Sequence, residues 1–137
     1  MKSKDRFVID TNVMVRAVLI GTSLASEAFQ KARQLGEILL SLTVAEELND
    51  VLGREKFDRY ITRDDRERFL AALIQTAKFI EVTEQIVACR DPSDDKFLEL
   101  AVSGNATCIV TADDDLLVLN PFRGIPILSI EQFLASH

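Results

Sequence analysis

The side chains best suited to chemistry in this 137-residue chain are carboxylates. Asp10 directly follows the β-prone run Phe7-Val8-Ile9, and Asp113 stands two residues past a second such run that ends at Thr111. Between them, Asp91-Pro92-Ser93-Asp94-Asp95 opens a helical stretch, and Glu46-Glu47 lies inside another. Acids drawn from four places to one spot would repel and would not all stay ionised. A divalent cation removes that conflict, and the hard ions Mg²⁺ and Mn²⁺ favour oxygen ligands. Such an ion lowers the pKa of water and stabilises charge on a phosphodiester.

Whether these acids meet depends on the elements that carry them. Strands are expected at Phe7–Ile9, Glu37–Leu40, Phe79–Val82, Thr107–Thr111 and Pro126–Ser129. Helices are expected from Val13 to about Gly21, Ser23 to Leu35 (closed by Gly36), and Val44 to Leu52. Further helices follow as a charged region to about Ala77, then Asp94–Ser103, Asp114–Leu119 and Ile130–Ala135. Short apolar strands alternating with helices predict a parallel sheet of about five strands covered on both faces. In such sheets functional groups gather at the carboxyl ends of strands, where Asp10, Asp113 and the Asp91–Asp95 segment fall.

Helical geometry separates some of the candidates. The apolar face of the third helix is Val44, Leu48, Val51 and Leu52. Glu47 lies about 85° from the centre of that face and Glu46 about 175°, so Glu46 points to water and Glu47 flanks the core. Glu46 also has the spacing of a capping-box partner for Thr43, although Ser41 offers a second cap. Asp91 before Pro92 reads as a helix N-cap. The wheel places Asp94 nearer than Asp95 to the face formed by Phe97, Leu98 and Ala101, but in a first turn both can point over the sheet end.

Composition removes other chemistries. The only histidine, His137, is the last residue, which argues against Ser-His-Asp, Cys-His and histidine-rich zinc sites. Cys108, inside the apolar run Ala106–Val110, reads as core, while Cys89 is open between a packing and a reactive role. A net charge of -6 argues against a broad basic face for nucleic acid, although bound cations reverse a local field. The densest basic stretch, Arg54 to Arg68, is interleaved with acids and reads as a solvated helical face. No apolar run approaches the roughly 20 residues of a membrane helix, and no signal peptide is visible, so a cytoplasmic protein without membrane contact is expected. The length suits one domain, residues 1–137.

Taken in order, four segments resemble the PIN domain family. They are Val8-Ile9-Asp10-Thr11-Asn12-Val13, then Glu47-Leu48, then Asp91-Pro92-Ser93-Asp94-Asp95-Lys96-Phe97-Leu98-Glu99-Leu100-Ala101, and finally Val110-Thr111-Ala112-Asp113-Asp114-Asp115-Leu116-Leu117. The resemblance spans Phe7 to Phe133. It implies a three-layer α/β/α sandwich around a mostly parallel sheet, and a nuclease whose carboxylates bind Mg²⁺ or Mn²⁺ and cut RNA. Carried over residue by residue, it implies that the catalytic and metal-binding acids are Asp10, Glu47, Asp95 and Asp113. Family spacing selects Asp95 over Asp94, against the helical wheel. Thr111 would orient Asp113 or a metal-bound water, and Asn12 would add a polar contact near Asp10. Arg16, about two turns along the first helix, is placed to meet a phosphate or a partner acid, or to lie on the surface. Many small members are toxins of toxin–antitoxin pairs, so a cognate antitoxin and a homodimer are implied partners. A haloacid-dehalogenase-like phosphatase would need an acid where Asn12 stands.

Overall fold

The computed structural model describes residues 4–137. Its strands are β1 (Asp5–Ile9), β2 (Gly36–Leu40), β3 (Lys78–Phe79), β4 (Cys108–Val110) and β5 (Ile127–Leu128). Its helices are α1 (Thr11–Leu19), α2 (Leu24–Leu35), α3 (Leu42–Leu52), α4 (Arg63–Thr76), α5 (Asp95–Ser103), α6 (Asp114–Leu117) and α7 (Ile130–Ser136). Short 3-10 turns occupy Glu55–Phe57 and Pro92–Asp94.

All five strands are parallel, in the order β3-β2-β1-β4-β5. The inner strands are continuous apolar runs because both their faces are covered. Phe7, Val8, Ile9, Ile38, Leu39, Leu40, Cys108, Ile109 and Val110 are all buried. Helices α1, α2 and α7 pack together, while α5 packs across β1, β2 and β4 and against α3, giving the three-layer α/β/α sandwich. The chain builds outward from β1 to β2 and β3, then returns to add β4 and β5 on the other side. The order therefore reverses between β1 and β4, and ligands bind at such a crevice in open α/β sheets. Register puts Ile9 opposite Val110, so Asp10 and Thr111 emerge side by side. Asp10 N donates to Val110 O at 3.0 Å and secures that alignment.

Close approach explains one glycine. A Cβ at Gly36 would lie 2.0 Å from the carbonyl oxygen of Asp5, so only glycine allows β1 and β2 to pair there.

Two elements depart from the sequence-based expectation. The third strand is confined to Lys78–Phe79, because its pairing with Leu39 and Leu40 ends there and the chain peels away at the sheet edge. The Arg54–Arg68 stretch is not uniformly solvated. Arg66 is only 2% exposed, and its guanidinium donates to Leu52 O at 2.8 Å and Arg54 O at 3.1 Å and pairs with Asp58. It thereby satisfies carbonyls at the C-terminal end of α3, which a helix cannot satisfy internally.

Candidate metal-binding active site

Each acid reaches the crevice by a local rule. Asp10 stops β1 and caps α1, its Oδ1 accepting from Asn12 N at 2.7 Å. Its Oδ2 accepts from the buried Thr111 hydroxyl at 2.6 Å. Thr111 Oγ1 in turn accepts from Asp113 N at 3.0 Å, and Asp113 Oδ1 accepts from Asp115 N at 2.9 Å. One hydroxyl thus joins the ends of β1 and β4 and sets the position of both aspartates. Burial raises the Asp10 pKa above its ordinary value, and the charges of Asp113 and Glu47 push the same way. The hydrogen bonds from Thr111 and Asn12 oppose that shift by holding the ionised form.

The third acid is where the structure departs from the motif-based expectation. Asp95 is fastened to the backbone ahead of its own helix. Its Oδ1 accepts from Ala88 N at 3.1 Å and Cys89 N at 2.8 Å, so it pins the segment ahead of α5. Those amides hold its pKa below the usual value despite the opposing cost of burial, which is the largest single influence. Asp94, not Asp95, is the neighbour that meets Asp113. As the last residue of the 3-10 turn it lies across from Asp113, with which it shares a hydrogen bond. Desolvation first, then that hydrogen bond and the charges of Asp113, Asp91 and Asp10, push Asp94 up to about 7. Two neighbouring residues therefore divide the work: one fastens a loop and the other faces the acids.

Asp115 joins the group without having been singled out. One carboxylate oxygen from each of Asp94, Asp113 and Asp115 can lie within 4.8 Å of the others. Its signal was available in the run Asp113-Asp114-Asp115, which places the acids together at the start of α6. Glu47 is half-buried on α3 and close enough for its charge to raise the Asp10 pKa, whereas Glu46 is exposed. Ser41 caps α3, accepting from Val44 N at 3.2 Å, so Thr43 does not. Asp91 is the expected cap, accepting from Ser93 N at 3.0 Å ahead of Pro92.

The remaining chemistry-bearing side chains take no part. Cys89 and Cys108 are buried and free, and desolvation above all pushes both thiols up to about 12, away from the thiolate form that nucleophilic attack needs. His137 stacks on Phe133 with ring centroids 4.8 Å apart.

The donors fit a hard divalent ion. They are all oxygens, no lysine or arginine among the described residues pairs with Asp94, Asp113 or Asp115, and the crowding helps push Asp94 up to about 7. Thr11, beside Asp10, is the one buried side-chain oxygen among the described residues without a hydrogen-bond partner. A groove of about 460 Å³ runs from Asp10 and Asp113 past Asn12, Val15 and Arg16 to Ile20.

Fold, strand-end acids and sequence pattern converge with the comparisons. A family model described as PIN domain matches residues 6–115, and the chain belongs to this family, whose members are generally nucleases. Two solved structures share the fold. VapBC2 from Rickettsia felis, bound to a DNA fragment from its promoter, is 12% identical with a TM-score of 0.61, covering 90% of this chain and 98% of that one. PAE2754 from Pyrobaculum aerophilum is 19% identical with a TM-score of 0.60, covering 96% of this chain and 88% of that one. No curated protein matches the chain.

Proposed function

We propose that this protein is a metal-dependent endoribonuclease and the toxin of a toxin–antitoxin pair, acting in the cytoplasm as one nuclease unit over residues 1–137. The observation that carries the reading is the convergence of Asp94, Asp113 and Asp115 within 4.8 Å beside the buried Asp10. Asp10, Asp94 and Asp113 would hold one Mg²⁺ or Mn²⁺. When bound, the ion acidifies water and offsets the negative charge of the phosphate. Thr111 aims Asp10 and favours its ionised form, and fixes Asp113 through its backbone amide. Glu47 would take the proton of the attacking water and turn its oxygen in line with the leaving 3′-oxygen, which would pick up a proton from solvent, giving 5′-phosphate and 3′-hydroxyl ends. Asp95 supports the site from behind by fastening the Ala88–Cys89 amides.

The substrate reading follows from shape and charge. A single strand fits along the groove beside α1, where Arg16 lies one helical turn beyond Asn12 and pairs with no acid among the described residues. Helical side chains lean toward the N-terminus, which brings the Arg16 guanidinium toward the acids. Support for an antitoxin partner comes from the solved VapBC2 complex of the same fold, and a cationic side chain presented to the acids is the expected mode of masking. A homodimer completes the expected assembly. Incubating the protein with single-stranded RNA in Mn²⁺, Mg²⁺ or EDTA tests the reading: cleavage is expected with either ion and none with EDTA.

A further inference from the structure

Glu47 does not face the crevice unaccompanied. Its Oε2 lies 2.7 Å from the Lys96 ammonium, and the Lys96 side chain is only 11% exposed. The same ammonium donates to Ser93 O and stands 5.2 Å from the centre of the Phe97 ring. Lysine is ordinarily a mobile, strongly hydrated charge. Here its stem is covered and its head is held by a carboxylate, a carbonyl and an aromatic face, so it is an ordered cation. It is also well placed: Lys96 follows Asp94 by two residues on α5, and Glu47 comes from α3. The pair ties α3 to the turn that presents Asp94 to Asp113.

Two-ion phosphodiesterases place their ions about 3.5–4 Å apart and need acids for both. In this chain three aspartates gather at one point, and Glu47, the acid outside that group, already holds a positive charge. We propose that Lys96 is a positioning residue that stands in the second cation's place: it holds Glu47 by one oxygen and limits the site to a single divalent ion. This rests on the metal-dependent reading above and deepens it. The second oxygen of Glu47 stays available to the attacking water, and the Lys96 charge lowers the repulsion that an incoming phosphate meets.

The test is Mn²⁺ stoichiometry, read as free Mn²⁺ by electron paramagnetic resonance, with folding checked by circular dichroism. The wild-type chain and Lys96→Arg are expected to bind one ion, Lys96→Met two, and Lys96→Met with Glu47→Gln one again. Glu47→Gln alone is expected to leave the wild-type Mn²⁺ affinity within threefold, because that acid is already occupied. Lys96→Met is also expected to lower kcat for RNA at least tenfold, with Lys96→Arg recovering most of it. Two ions on the wild-type chain, or one ion on folded Lys96→Met, overturns the proposal and leaves the nuclease reading intact. If Lys96→Met does not fold, Glu47→Gln decides, and a tenfold loss of Mn²⁺ affinity there overturns it. No ion on the wild-type chain defeats the metal-dependent reading, and this proposal with it.

Discussion

Adjacent aspartates with opposite duties make a sharp prediction. Removing Asp95 should destabilise the protein and spare metal binding, and neutralising Asp94 should do the reverse. Asp95→Ala strips two charge-assisted hydrogen bonds, at 2.8 and 3.1 Å, from the Cys89 and Ala88 amides. Each such bond contributes about 1.5–3 kcal/mol, and allowing for incomplete additivity the loss is about 3 kcal/mol. At roughly 3–4 °C per kcal/mol for a domain of this size, Tm should fall by about 10 °C.

Asp94→Asn removes a carboxyl pushed up to about 7 by desolvation and by Asp113. The native state keeps that proton up to about pH 7, whereas the unfolded chain releases it near 3.8. Between those values the native state binds more protons, so the wild-type protein without metal loses stability as pH rises. The Asn variant lacks this slope. The partly exposed site reduces the effect to about 1 kcal/mol, so Tm in EDTA at pH 8 should rise by about 3–4 °C over wild type, with no gain at pH 4. Mn²⁺ at a hundredfold excess over Kd should stabilise wild type and Asp95→Ala by about 2.7 kcal/mol, raising Tm by about 8–11 °C, and should leave Asp94→Asn unchanged. Thermal unfolding in EDTA and in Mn²⁺ measures all of this. An Asp95→Ala protein as stable as wild type that no longer responds to Mn²⁺ would refute the division of labour.

Three further expectations follow from particular contacts. Thr111→Val removes the 2.6 Å donor to Asp10 and the acceptor for Asp113 N, and should cost about 2 kcal/mol in chemical denaturation. It should also weaken Mn²⁺ about tenfold; unchanged affinity would show that the hydroxyl does not aim the acids. Arg66→Leu should lower stability by about 3 kcal/mol, because the Leu52 and Arg54 carbonyls and Asp58 lose their donor, while RNA cleavage at 20 °C persists. Arg66→Lys should not restore it, since a single ammonium cannot reproduce the fork. Arg16→Gln in an Asp10→Asn background should weaken binding of a single-stranded RNA by fluorescence anisotropy. It should also reduce the slope of log K against log salt by about 0.7, and an unchanged slope would remove Arg16 from the groove.

Much of the architecture was legible because parallel strands buried on both faces announce themselves as apolar runs. Phe7–Ile9 and Ile109–Val110 show this, and the acids directly after such runs could be placed at strand ends. Glu47 over Glu46 was equally legible, since a regular helix makes the wheel reliable. Asp94 and Asp95 were not separable by motif because the boundary between a 3-10 turn and an α-helix falls between them. The direction of each side chain depends on that boundary, and one-residue spacing arguments do not resolve it. The wheel favoured Asp94 and family spacing favoured Asp95; the structure places Asp94 against Asp113. Arg66 was hidden for a different reason: three of its partners are main-chain carbonyls, which leave no mark on the composition around it.

The most direct measurement is cleavage of a mixed single-stranded RNA by the folded wild-type protein and by Asp10→Asn, each with Mn²⁺, with Mg²⁺ and with EDTA. The account predicts cleavage by the wild-type protein with either ion, none in EDTA, and at least a hundredfold loss for an Asp10→Asn protein that retains the wild-type circular dichroism spectrum. Undiminished cleavage by that variant, or cleavage that continues in EDTA, would contradict it.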